Sequence, residues 1–353
     1  MRVEDLDTPF LIVDLDALED NLTRYQSYFD EHGIGLRPHI KTHKSLAIAH
    51  WQMRLGAMGI ACQKLGEAEV MVNGGLDGDI LIPYNIIGGA KLERLIALAR
   101  RARMTVAADS EYTVRGLSEA SDRAGVPVGV IVELGQGGRC GVETADAARD
   151  LAALIDSLPG IELRGCMAMP TPPERRPFIQ EVVELLDRAG LPHPIVSGGS
   201  TPCSFTAHQI PELTEHRAGE YPVGGLKHLR SGTHSLEQCA LRVLTAVVSA
   251  PTRGRVVLDA GSKSLSGASH REEDGTSVMG HIAEYPAARF RGASEEHGQV
   301  DVSACERPPR IGERVQVIPV HPCPTVNEHD EMAAVRRGEV EAIWPVDARG
   351  QIR

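Results

Sequence analysis

Val128-Gly129-Val130-Ile131-Val132-Glu133-Leu134 is a short run dominated by valine and isoleucine, and Leu163-Arg164-Gly165-Cys166-Met167-Ala168-Met169 is a second apolar run downstream. Both read as buried strands. Between them, Thr144 to Leu158 carries apolar residues at helical spacing. Thr144 is placed to cap the helix start, Asp146 sits in the first turn, and Gly160 follows as a stop.

The same alternation extends in both directions. The strand candidates are Leu36–Lys41, Met58–Gln63, Asp79–Pro83, Met104–Asp109, Val128–Leu134, Leu163–Met169, Ile195–Gly199 and Glu215–Gly219. Helical patterns are clearest at Ala90–Ala102, Thr144–Leu158 and Glu174–Ala189, the last followed by Gly190. Eight strands alternating with helices predict an α/β fold, a (β/α)8 TIM barrel. An open doubly wound sheet carries the same rhythm and stays open as an alternative at this point.

Outside this region the pattern changes. Thr8–Leu15 reads as a strand and Asp16–His32 as a helix. After about residue 236, the segments Leu241–Ala250, Arg255–Asp259, Arg314–Pro319 and Val340–Pro345 read as strands without long helices between them. The expected organisation is a barrel over residues 16–235 and a β-rich domain from residues 1–15 plus 236–353.

Composition narrows the function classes. Hydrophobic residues make up 42% and charged residues 24%, which suits a packed globular chain rather than a disordered one. A formal net charge of −11 argues against nucleic acid or an anionic membrane as partner. No apolar run is long enough for a membrane span, and no signal peptide is evident. The seven cysteines are odd in number and scattered, a poor disulfide framework that suits a reducing, cytoplasmic setting.

Three motifs carry chemistry. Arg37-Pro38-His39-Ile40-Lys41-Thr42-His43-Lys44 follows the first barrel strand, where barrel enzymes place reactive groups. A lysine flanked by cations or removed from water becomes nucleophilic and can form a Schiff base; a solvated basic loop is the plain alternative. Val196-Ser197-Gly198-Gly199-Ser200-Thr201 ends the seventh barrel strand. Its glycines would let backbone N–H groups approach an anion, as phosphate loops at that end of a barrel do; a simple glycine-rich turn is the other reading. His321-Pro322-Cys323 offers an imidazole and a thiol two residues apart. On an extended segment they would point the same way and suit Zn2+ or related ions, whereas a buried cysteine beside a surface histidine is the alternative. His297, Glu328–Asp330 and the pair Met167 and Met169 read as surface histidine, solvated rim and barrel packing.

These motifs, with Ala61–Glu69, Gly138-Arg139-Cys140-Gly141-Val142, Arg217-Ala218-Gly219-Glu220-Tyr221, Leu258–Ser266, Glu295–Gly298 and His321–Asn327, occur in order along the chain. The sequence resembles the D-threonine aldolase and D-serine dehydratase family, fold-type III pyridoxal-phosphate (PLP) enzymes related to alanine racemase. The resemblance implies that Lys41 binds PLP as a Schiff base with His39 nearby. It places Arg139 beside the cofactor ring, Gly198, Gly199, Ser200 and Thr201 at the phosphate, and Tyr221 in support. His321 and Cys323 are implied as ligands of a divalent metal, Zn2+ being preferred over Mn2+, Mg2+ or Co2+ for a thiolate.

The same resemblance implies a lyase acting on small-molecule D-3-hydroxy-2-amino acids, and a homodimer. Aldolase cleavage to glycine and an aldehyde is preferred narrowly. The alternative is dehydratase-type elimination to a 2-oxo acid and ammonia, which the cysteine in the metal pair favours. A PLP carrier would lack the β-rich region. A racemase would need a second base, for which that region offers only Tyr285. Besides the cysteine in the metal pair, which departs from the usual aldolase pair, two further departures from the family pattern stand out. The run Gly135-Gln136-Gly137-Gly138-Arg139 is one residue longer, and Cys166–Pro170 shows no evident partner for the pyridine nitrogen.

Overall fold

Each segment expected as a barrel strand forms one in the computed structural model, which describes residues 1–135 and 139–353. After β1 (Phe10–Asp14) come β2 (Gly35–Leu36), β3 (Ile60–Ala61), β4 (Asp79–Asn85), β5 (Arg103–Ala108), β6 (Val128–Leu134), β7 (Ile161–Ala168), β8 (Ile195–Gly199) and β9 (Glu215–Arg217). Among the described residues, β2 to β9 form one eight-stranded sheet in the order β2-β9-β8-β7-β6-β5-β4-β3, with every pairing parallel.

The two ends of that order meet. His39 bridges Ala61 in parallel, Ile40 N–H donates to the Ala61 carbonyl at 2.9 Å, and Ala61 N–H donates to the Pro38 carbonyl at 2.8 Å. The sheet is therefore closed into a barrel, and the open doubly wound alternative falls. β2 is shorter than expected because Pro38 has no N–H to continue the ladder. Leu81, Ala107, Ile131, Met167 and Ile195 pack as one buried cluster, so Met167 does serve as packing.

Local signals explain the helix boundaries. Thr144 caps Ala145–Ser157 by accepting from Ala147 N–H at 3.2 Å. Arg176–Ala189 ends at Gly190, whose φ of 66° is the left-handed stop that glycine adopts freely. Gly160 is not the stop it was expected to be. Leu158 closes that helix, and Gly160 turns the chain into β7.

The chain divides into two units. The barrel unit comprises Arg24–Lys41, Leu46–Gly219 and Gln351–Arg353, and the β-rich unit comprises Met1–Thr23, Thr42–Ser45 and Glu220–Gly350. The latter adds β10 (Leu241–Thr252), β11 (Arg255–Leu258), β12 (His270–Arg271), β13 (Ser277–Val278), β14 (Gly280–Ile282), β15 (Arg289–Ala293), β16 (Gly298–Asp301), β17 (Arg314–Pro319), β18 (Glu331–Arg336) and β19 (Glu339–Pro345). Its main sheet runs β15-β16-β11-β10-β1-β18-β19, with β17 paired to both β10 and β14. Among the described residues no helix is long and apolar enough to cross a membrane.

Candidate functional site

A ladder of buried charges stiffens the barrel unit. Arg37, 1% exposed, grips Glu215 through Nε and Nη2 and reaches Asp79 Oδ1 at 2.7 Å. Ser197 Oγ donates to Glu215 at 2.6 Å and accepts from Arg217 Nη1. Arg217 also donates to the Ala168 carbonyl at 3.1 Å. Burial pulls the Arg217 guanidinium down to about 10, although Glu215 and Glu133 oppose the shift, so it stays charged at neutral pH. Burial pushes Glu133 up, against the pull of Arg217 and Arg139, and its Oε2 has no hydrogen-bond partner among the described residues.

The basic octamer is not a solvated loop. His39 is 5% exposed, His43 1% and Lys44 5%. In the barrel unit, Lys41 follows the C-terminal end of β2 and is half-buried. Its N–H lies 3.5 Å from His39 Nδ1, and His39 Nε2 meets Gln63 Oε1 at 3.2 Å. Burial, then the Lys41 and Arg217 charges, hold His39 well below the ordinary histidine range, so it is neutral, and a hydrogen on Nε2 suits its contacts with the Gln63 oxygen and the Lys41 N–H. Within the β-rich unit, the Lys44 amine donates to the Ala348 carbonyl at 3.2 Å and stays a structural group.

The Ser197–Thr201 loop is pinned. Gly198 and Gly199 finish β8, and Thr201 opens a 3-10 helix, Thr201–Gln209, that the sequence reading did not foresee. Ser200 has φ 99°, a region that side chains rarely occupy. Its N–H donates to the Arg217 carbonyl at 2.9 Å, and its carbonyl accepts from His216 Nε2 at 3.0 Å. Gly199 N–H is bound to Thr171 Oγ1 at 3.0 Å. The backbone N–H groups of Gly199 and Ser200, expected to face an anion, are thus committed internally. Arg139 is exposed, with Nη2 at 3.8 Å from Met169 Sδ. The lengthened run at Gln136–Gly138 lies outside the described residues.

The β-rich unit gathers a second cluster. Glu220, His321 and Cys323 each offer a ligand atom, and these atoms lie within 4.8 Å of one another. His321 Nε2 is 2.8 Å and Cys323 Sγ 3.3 Å from Glu220 Oε1, and His228 Nε2 is 3.0 Å from Oε2. Thr42 Oγ1 lies 3.2 Å from Cys323 Sγ. Burial alone would raise the Glu220 carboxyl. The His321 hydrogen bond and the His228 ring outweigh it and hold the group at about 2, fully ionised. An imidazole, a thiol and a carboxylate suit Zn2+ and its neighbours, and three protein ligands leave a coordination position open.

His321 and Cys323 do not converge by strand alternation. His321 is the N-cap of the helix Pro322–Glu328, Pro322 takes the first helical position, and Cys323 is already helical. Thr325 Oγ1 donates to the His321 carbonyl at 3.1 Å and holds the start of the helix. Sequence reasoning missed Glu220 as a ligand candidate, together with His228 and Thr42. Glu220 lies 103 residues from Cys323, with no spacing signal to link them. Its neighbour Tyr221 also belongs to the β-rich unit and is 1% exposed. Tyr285 donates to Glu313, outside this cluster. His297 is exposed beside Ser294, as a surface histidine.

Comparison with known proteins finds relatives of both the barrel and the β-rich region. Residues 13–227 match the alanine racemase N-terminal domain, and residues 240–335 match the serine dehydratase domain. The D-threonine aldolase of Arthrobacter sp. is 34% identical, with 98% of this chain and 93% of that protein aligned. The D-threo-3-hydroxyaspartate dehydratase of Delftia sp. (strain HT23) is 31% identical over 91% of this chain and 92% of its own. The crystal structure of D-threonine aldolase from Filomicrobium marinum superposes with a TM-score of 0.89 at 35% identity, covering 100% of this chain and 98% of that one. Similarity of this extent, spanning barrel and β-rich region alike, makes the chain a member of the D-threonine aldolase and D-serine dehydratase family, a lyase on the alanine racemase fold.

Proposed function

We propose that this lyase is PLP- and divalent-metal-dependent and cleaves D-3-hydroxy-2-amino acids to glycine and an aldehyde, in the manner of a D-threonine aldolase. The observation that carries the metal-dependent lyase reading is the Glu220, His321 and Cys323 donor cluster, and the D-threonine aldolase relative at 34% identity supports the aldolase form of it. A lyase that must choose one β-hydroxyl needs a fixed group to hold that oxygen, and this cluster is suited to hold the cation that does so. When bound, PLP supplies the electron sink for a bond broken at Cα, and the metal supplies a Lewis acid.

The chain's own residues do the rest. Lys41 provides the primary amine that anchors the cofactor and can afterwards hold a proton. Neutral His39 packs against the Lys41 backbone without competing for that proton. Arg139, Gly198, Gly199, Ser200, Thr201 and Tyr221 are proposed to hold the remainder of PLP. Because two N–H groups of the loop are used internally, the weight of anion binding shifts toward side chains there. Residues 16–235 would thus carry the cofactor and the β-rich region most of the metal ligands. Glu220, His321 and Cys323 would hold the metal, with His228 and Thr42 orienting Glu220 and Cys323.

Dehydratase chemistry is the second reading, supported by the thiol in the donor set and by the dehydratase relative. Purified enzyme incubated with D-threonine and D-serine separates the two. Glycine with acetaldehyde supports the aldolase. A 2-oxo acid with ammonia replaces that reading by the dehydratase, and neither product removes both.

A further inference from the structure

The opposite end of the barrel carries charge that the lyase reading does not use. A cavity of about 300 Å3 is lined by Arg103, Thr105, Gly129, Glu162 and Arg164, near the starts of β5, β6 and β7. Lys41 follows the C-terminal end of β2, where barrel enzymes keep their chemistry. This cavity is at the N-terminal end of the strands.

Arg164 is held there by a backbone irregularity. Val130 pairs with Leu163 and Ile131 pairs with Gly165, so Arg164 is the extra residue of a bulge in β7. The next residue, Gly165, has φ 113°. Bulges re-aim side chains. Arg164 extends over Gly129, because the point where a Gly129 Cβ would stand is 3.3 Å from Arg164 Cδ and 2.7 Å from Thr105 Oγ1. Glycine at 129 is what leaves room for both groups.

Among the described residues, two polar atoms at this place have no hydrogen-bond partner. Arg164 Nε and Thr105 Oγ1 are both buried without a hydrogen bond, and Thr105 is 1% exposed. Buried donors of this kind are rarely left unpaired, and the loss is larger for a charged group. The local acids do not neutralise the arginines closely. Glu162 stands 3.8 Å from Arg164 and is 59% exposed. Asp79 stands 3.9 Å from Arg103 while its other oxygen is held by Arg37. Burial, and then the charge of Arg103, lower the Arg164 guanidinium below its ordinary value, as expected where a cation lacks a close anion.

We propose that this cavity binds one small oxyanion, a carboxylate or a sulfate- or phosphate-like ion, held by Arg164 and Thr105 with Arg103 at its mouth. An oxygen that accepts from both Arg164 Nε and Thr105 Oγ1 would satisfy the two unpaired groups together. The assignment does not depend on the lyase reading.

The test is isothermal titration of the PLP- and metal-loaded enzyme with sodium sulfate and, separately, sodium acetate, in a buffer free of other small anions. Saturable binding of one ion per chain is expected. Thr105→Val and Arg164→Gln should each weaken it about tenfold or more, the effect of losing a charge-assisted hydrogen bond. Saturation by sulfate alone assigns a tetrahedral ion and by acetate alone a carboxylate, and either upholds the site. No saturable heat from either ion, or unchanged affinity in Thr105→Val, overturns it. Thr105→Val is nearly isosteric and decides the matter if Arg164→Gln does not fold.

Discussion

Replacing Glu220 by glutamine keeps the shape of the side chain and removes its charge. In the structure that carboxylate faces His321 Nε2 at 2.8 Å, Cys323 Sγ at 3.3 Å and His228 Nε2 at 3.0 Å. With its pKa held at about 2, it is an anion at any working pH. Loss of a group that merely orients a metal ligand typically lowers metal affinity about 10–100-fold. Glu220 is itself one of the three donors, so Glu220→Gln should lower Zn2+ affinity by at least about 100-fold, close to 2.7 kcal/mol. His228→Ala, which removes only an orienting partner, should fall inside the 10–100-fold range. Competition with a chromophoric chelator at neutral pH measures both, and the visible PLP absorbance reports whether the cofactor site is intact. A Glu220→Gln protein with wild-type Zn2+ affinity and normal PLP colour would refute the three-donor site.

Other outcomes follow from the same geometry. Lys41→Ala should abolish the visible absorbance and the activity, and a persistent normal band would redirect attention to Lys44 despite its bond to Ala348. Arg37→Met leaves Glu215, 0% exposed, without its cation and should cost about 3–5 kcal/mol in urea unfolding, whereas a change below about 1 kcal/mol would show that the ladder is not structural. His216 is depressed by burial from the ordinary 6.5 to about 4, so the unfolded chain takes its proton first as pH falls. Its contribution is present above pH 6.5 and is lost down to about pH 4, on the order of 3 kcal/mol in all. His216→Gln should flatten the fall of Tm over that interval, and an unchanged slope would count against a buried neutral ring.

Several features were written locally in the chain. Most barrel strands were legible because a strand buried on both faces is largely apolar, as Val128–Leu134 is apart from Glu133, whereas β9 (Glu215–Arg217) is buried but polar and charged. Thr144 and Gly190 marked helix ends because a cap and a left-handed stop depend on one side chain and its immediate backbone. Lys41, His39 and His321 with Cys323 could be singled out from short motifs and a family resemblance. Sequence alone did not exclude a solvated basic loop, and only the observed burial of His39, His43 and Lys44 does so.

Tertiary structure decided the rest, because the decisive contacts join distant residues. Barrel closure rests on His39 meeting Ala61, which no local periodicity encodes. The N–H groups of Gly199 and Ser200 were taken up by Thr171 and Arg217 from other elements. His321 and Cys323 came together through a proline-started helix rather than a strand, since Pro322 supplies a first helical residue that needs no N–H partner. Glu220 joined them across 103 residues of chain. A short-range pattern can state which residues are able to ligate a metal; only the folded chain brings their atoms within reach of one ion.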